Sequence, residues 1–239
     1  MAVVLVGAGV AAGFALHRPT APAHHRPAAR PPIVVAAPPP APVVQPVVQP
    51  VVHRAAGLPH ENVAATAPTS FRMTGSAFDI KASVCQMENV RPLDPPGDQL
   101  HTVCWVRSGF GVAPGSPSTG TSYILGHAWA QAKLVFNPLS ELAAKEIDQQ
   151  HPTMTDGVAT FPVKRLDGYR VTLQTAKGTL TYVVRQAFAV GKMQAASVRS
   201  LMANAPNRVV LITCAVAGGV DLDYNIVVYA YLLSSVART

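Results

Sequence analysis

The sequence predicts a mainly β domain, a closed or nearly closed barrel with one or two short helices. From about Phe71 onward, short apolar or alternating runs recur between turn residues. Only short stretches carry helical spacing, at Leu134 to Ile147 and Val198 to Asn204. No strand–helix–strand alternation and no Gly-rich phosphate loop interrupts the pattern.

Ahead of that domain lie segments of a different kind. Ala2 to Leu16 is uncharged. As a helix it would span roughly 22 Å, short of the ~30 Å hydrocarbon core of a bilayer. A charged leading region and a clean Ala-x-Ala cleavage site are both missing. Residues 1–17 read as a signal-anchor or transmembrane remnant. Residues 18–70 read as a Pro-rich disordered linker, because 13 of the 22 prolines lie at or before Pro68. The repeat around Pro42, Pro46 and Pro50 cannot build a helix or a sheet ladder. Such a chain favours polyproline II at ~3.1 Å per residue, so it could reach on the order of 150 Å.

Residues 71–239 hold the folding domain. Phe78 to Ala82 alternates apolar and polar residues. Thr102 to Val106 and Ser122 to Gly126 are short apolar strands. Leu139, Leu142, Ala143 and Ile147 fall on one helical face. Ala159 to Val163, Tyr169 to Leu173 and Thr179 to Arg185 are further strands, the last two joined as a hairpin at Thr175 to Gly178. Val209 to Cys214 and Asn225 to Leu233 complete the set.

The net charge of +7 does not point to nucleic acid. Arg18, Arg26, Arg30 and Arg54 against Glu61 put +3 of it on the tail, and no basic cluster with interleaved aromatics follows. A mild basic excess fits an anionic envelope or membrane surface better. The cysteines are Cys85, Cys104 and Cys214. No CxxC pair or His/Cys cluster has zinc spacing. Cys85 and Cys104 flank a Pro-rich turn and are either bridged, if outside the cytoplasm, or simply two small buried side chains.

Cys214 ends an apolar strand and is followed by Gly218-Gly219 and another strand, which puts its thiol at a strand end facing a loop. A nucleophilic cysteine needs a base or cation nearby. His17, His24, His25, His53 and His60 fall in the tail, and His101 and His151 in turns. His127 is left as the histidine at a strand end, next to Gly126.

These residues carry a resemblance. Tyr123-Ile-Leu-Gly-His127 followed by Leu134 to Leu142 is similar to the sortase pattern of an apolar strand, Gly-His, a phenylalanine and a helix. Leu211-Ile-Thr-Cys214 resembles the sortase signature Leu-x-Thr-Cys. Trp105 with Val112-Ala-Pro-Gly115, and Tyr182-Val-Val, resemble flanking segments of actinobacterial sortases. The likeness covers about residues 76 to 233.

It implies an eight-stranded barrel and a cysteine transpeptidase, with Cys214 as nucleophile and His127 as acid and base. Such an enzyme cleaves a C-terminal LPxTG-like sorting motif of a secreted protein through a thioester. It then transfers the acyl group to an amine of peptidoglycan precursor or protein. No cofactor is required, and no paired-carboxylate loop supports a calcium site. The apolar segment and linker fit a membrane-tethered enzyme on the extracytoplasmic face.

One departure stands out. Sortases carry an arginine on the strand after the cysteine loop, and no Arg lies between Cys214 and Val236 here. Asp223 or Asn225 falls at that position. Asn225 can donate through its amide, as amides do in other oxyanion holes, whereas Asp223 has the wrong charge. Arg107 or Arg185 could supply the cation from elsewhere. The alternative function is a catalytically impaired sortase-fold peptide-binding module. An L,D-type transpeptidase would need a histidine where Ile212 stands. Trp105, Trp129, Tyr229 and Tyr231 read as packing or groove walls, and Asp221 and Asp223 as solvated loop residues.

Overall fold

The computed structural model describes residues 57–90, 93–107, 109 and 111–239. The apolar segment 1–17 and most of the Pro-rich linker lie outside the described residues. The strands are β1 (Pro68–Thr74), β2 (Asp79–Met87), β3 (Thr102–Val106), β4 (Thr121–Leu125), β5 (Thr153–Thr155), β6 (Val158–Pro162), β7 (Arg170–Thr175), β8 (Gly178–Gly191), β9 (Arg208–Ala217) and β10 (Val220–Ala237). Two helices, α1 (Asn137–Ala144) and α2 (Arg199–Met202), sit in the connections.

Pairing runs β10-β9-β4-β3-β2-β1-β7-β8, and β8 pairs back onto β10. That closes the eight-stranded barrel the sequence motifs imply. Closure leaves no free edge around the ring. The ladders β2–β3 and β4–β9 are parallel, and the other ring pairs are antiparallel. The small hairpin β5–β6 branches from the far half of β8, where Thr160 to Pro162 pair with Val190 to Phe188.

Strand alternation sorts the side chains onto two faces. Phe71, Ile80, Val103, Ile124, Val171, Leu180, Leu211 and Val228 come from all eight ring strands and fill the barrel interior. Leu139 and Ala143 of α1 are fully buried in the same cluster. Cys104, Leu125, Phe188, Val210, Val227 and Tyr229 point the other way and form an exterior cluster, covered by Val198 and Leu201. Arg208, itself buried, fastens that cover. Its guanidinium donates to Thr121 Oγ1 and the Ser200 carbonyl, both at 3.0 Å, and to the Ala203 carbonyl. It also lies 4.8 Å over the Tyr229 ring. Burial pushes the Tyr229 hydroxyl up to about 12.

Several elements differ in extent from the sequence reading. Helix α1 is confined to Asn137–Ala144, with Pro138 in its first turn. Helix α2 is a single turn after a 3-10 turn at Ala195–Ser197, and Ala203 is already extended, two residues ahead of Ala205-Pro206. β2 runs on to Met87. Cys85 and Cys104, cross-strand partners on β2 and β3, form a disulfide. Residues ahead of 71 also pack: Val63 is buried and pairs with Ser116, and the Glu61 amide donates to the Ser235 carbonyl at 3.0 Å.

Among the described residues no helix is long and apolar enough to cross a membrane. Nor do they include a group of three or more His, Cys, Asp or Glu residues that could hold a metal ion.

Candidate active site

His127 stands two residues past the end of β4, and Cys214 lies on the neighbouring parallel strand β9, three residues before its end at Ala217 rather than at the strand end expected from sequence. Leu125 of β4 pairs with Ile212 of β9, and His127 and Cys214 each lie two residues further on. The ladder carries on past that pair, since the Gly126 amide donates to the Ile212 carbonyl at 3.2 Å. Parallel strands lie about 4.8 Å apart, and residues two apart share a face. Register therefore sets His127 and Cys214 at one level on the exterior face. Both are half-buried, and Cys214 is a free thiol.

Asn225 of β10 is the direct cross-strand partner of Cys214. Three residues of β10, Leu222 to Tyr224, bulge out just before it, and the bulge restores Asn225 to the face of Val227 and Tyr229. The row His127, Cys214, Asn225 thus crosses β4, β9 and β10 at one level. The turn that makes this possible is Gly218-Gly219, with φ of 56° and 76°. Glycine takes that left-handed geometry freely and closes a two-residue hairpin.

Buried neighbours hold the row. Ser140 of α1 donates to the Cys214 carbonyl at 2.8 Å and accepts the Val216 amide at 2.7 Å. Asn137, also buried, accepts the amides of Trp129 and Leu134, both at 3.0 Å, and donates to the Trp129 carbonyl at 2.9 Å. It shapes the loop that leaves His127. Asp221 is exposed, as expected from sequence, and it also tethers the same loop by accepting the Ala130 amide at 2.9 Å. Thr213 points inward, and its hydroxyl is buried without a hydrogen-bond partner.

The residues considered for the missing arginine separate clearly. Arg107 pairs with Glu88 at the far end of β3. Arg185 is exposed, opposite the irregularity between Tyr229 and Ala230 and five residues from Val190, the β8 partner of Asn225. Asp223 is exposed, and its carbonyl accepts the Lys192 amide at 3.2 Å. That ladder puts Lys192 two positions beyond Val190 on the face of Asn225, a cation that sequence spacing alone did not suggest. Trp105 packs inside the barrel, whereas Trp129 is 44% exposed beside the His127 loop.

A second group missed in the sequence is the segment 93–101. The Nε2 of His127 lies 2.9 Å from the Pro95 carbonyl and 3.3 Å from Asp94 Oδ1. Asp94 and His127 are 33 positions apart, and no motif links them.

Fold and site together define a class: a closed β-barrel with a free thiol and an imidazole at matching register on neighbouring strands. No family model and no curated protein matches the chain. It is similar to solved structures of sortases. Listeria monocytogenes sortase A is 14% identical with a TM-score of 0.44, over 73% of this chain and 92% of that one. A lid mutant of Corynebacterium diphtheriae sortase A is 21% identical with a TM-score of 0.41, over 71% and 73%. Streptomyces coelicolor sortase E1, solved with a tripeptide in the active site, is 12% identical with a TM-score of 0.44, over 72% and 91%.

Proposed function

We propose that this chain is a sortase-type cysteine transpeptidase that cleaves a C-terminal LPxTG-like sorting motif and passes the acyl group to an amine. The observation that carries the reading is the shared register of His127 and Cys214 on the exterior face, within segments that match the sortase motifs in order. In the first half-reaction, the Cys214 thiolate attacks the threonine carbonyl of the motif. The peptide C–N bond breaks, and His127 gives its proton to the leaving amine, leaving a thioester. In the second, an amine of peptidoglycan precursor or protein attacks the thioester and His127 takes its proton. The new amide forms and the thiolate returns.

Asn225 is the oxyanion donor on this reading, with Lys192 supplying positive charge from the next strand. One neutral amide is a weaker donor than a forked cation. Asn225→Ala should lower the acylation rate of the order of 10²-fold with little change in peptide KM. An unchanged rate removes Asn225 from the site.

The same chemistry sets the partners and place of action. Substrates are secreted proteins bearing the motif, and the enzyme works on the extracytoplasmic face of a membrane, tethered by segment 1–17. The Cys85–Cys104 disulfide supports that placement, since such bonds persist in oxidising compartments.

A second reading is favoured by the absent arginine: a catalytically impaired sortase-fold module that binds the peptide without cleaving it. Intact-mass spectrometry of the full chain with a panel of sorting peptides separates the two. Transpeptidation predicts a peptide adduct mapping to Cys214, lost in Cys214→Ala. Turnover that persists in Cys214→Ala sinks the enzyme assignment, and binding without an adduct selects the module.

A further inference from the structure

We propose that Asp94, acting with the Pro95 carbonyl, is a positioning residue that holds His127 as its Nε2–H tautomer and leaves Nδ1 as the basic nitrogen. The proposal rests on the transpeptidase reading above for its catalytic consequence, and on geometry alone for the tautomer. A neutral imidazole carries one N–H, and the nitrogen with that proton is set by what the other groups accept. Both groups at Nε2 are acceptors. The Pro95 carbonyl is 2.9 Å away and can never donate. The Asp94 carboxylate is 3.3 Å away. An acceptor pair at Nε2 requires the proton there, so Nδ1 is the nitrogen free to take a proton from a thiol.

The segment that presents these groups is built to keep them in place. Pro95 and Pro96 fix φ at successive positions, and each restricts the residue before it to extended geometry. Pro95 is buried, and Leu93 packs against the exterior cluster. The Pro96 carbonyl rests 3.6 Å from the Cys104 sulfur and 3.8 Å from the Cys85 sulfur. Further along, the Val135 amide donates to the Gln99 carbonyl at 3.0 Å, next to the Phe136 amide that donates to the His127 carbonyl at 2.9 Å. The Ser83 amide donates to the His101 carbonyl at 2.9 Å. The segment is thus tied to β2, to the disulfide and to the chain that runs on from His127.

When His127 takes up a proton it becomes an imidazolium, and both nitrogens then donate. The Nε2 side is already matched by a carbonyl and a carboxylate, so the charged form needs no rearrangement there. Asp94 is 73% exposed, which screens its charge and makes its contribution modest compared with a buried triad acid.

Nitrogen-15 correlation spectra of the full chain, with the ring assigned by comparison with His127→Gln, report the tautomer directly. The expected result is the Nε2–H form in the wild type and a shift towards a mixture of both forms in Asp94→Ala. Acylation of Cys214 by a sorting peptide should slow roughly tenfold in Asp94→Ala, with KM held within about twofold. Asp94→Asn, which keeps an acceptor oxygen, should retain the Nε2–H form and recover part of the rate. An Nδ1–H ring in the wild type overturns the proposal, whatever the activity. So does an Asp94→Ala protein with the wild-type tautomer and rate. If no peptide acylates Cys214, the transpeptidase reading fails, while the spectra still decide the tautomer.

Discussion

Removing the Cys85–Cys104 disulfide, by Cys85→Ala with Cys104→Ala, is expected to lower the unfolding free energy by about 3 kcal/mol. The bond closes a loop of 19 residues, and closure entropy of that size corresponds to roughly 3 kcal/mol in the unfolded chain. The cost in the native state is small, because Cys85 and Cys104 are already register partners in a parallel ladder. Urea unfolding of wild type and variant, with and without a reducing agent, measures it. The midpoint should fall in the variant, and reduction should move only the wild type. Equal midpoints for the oxidised wild type and the double variant would show that the bond adds nothing. The effect extends to the site, because the bond roots the segment that carries Asp94 and Pro95.

Gly126→Ala is expected to combine a stability loss of about 1–3 kcal/mol with a fall in acylation near 10²-fold. A Cβ at position 126 would sit 2.5 Å from Cδ2 of Phe136. The Phe136 ring is fully buried and packs edge-on against Phe71 at 5.5 Å, so it has no open direction to move in. The strain therefore passes to the backbone, and the next residue along is His127. Phe136→Leu in the same chain makes room and should return part of both losses. If Gly126→Ala alone matches wild type in melting temperature and rate, the close approach of Phe136 has no role in placing His127.

Much of the barrel was legible because its strands obey one rule. The apolar run from Val209 to Ile212 and the stretch Tyr123 to Leu125 are β-branched, aromatic and leucine residues with no helical period, and they lie side by side. His127 and Asn225 could be singled out because each marks a strand end or a departure within a run, and Cys214 because it closes the apolar run, although β9 itself continues to Ala217. Lengths were less legible. Leu134 and Ile147 share the helical spacing of α1 yet fall outside it, since Pro138 sits in its first turn and the chain leaves it after Ala144. What the sequence hid were contacts without local pattern. Asp221 reaches the Ala130 amide across 91 positions. Ser140 reaches Cys214 across 74. Asp94 meets His127 from a Pro-rich loop whose composition reads only as a turn.

The double pairing of β10 has a consequence for how the molecule comes into being. β10 binds β9 along one edge and β8 along the other. Before it docks, Cys214 lies on an open edge with no Asn225 opposite, and β8 offers a second bare row of amides and carbonyls. The hairpins β1–β2 and β7–β8 are local, but the β1–β7 and β4–β9 ladders join distant parts of the chain and form slowly because long loops must close first. A nascent polypeptide that has not yet delivered Val220–Ala237 can own its thiol and its imidazole without owning a groove. The site is therefore complete only when β10 has paired with both β9 and β8, and a chaperone that shields those two edges would act on the least protected species.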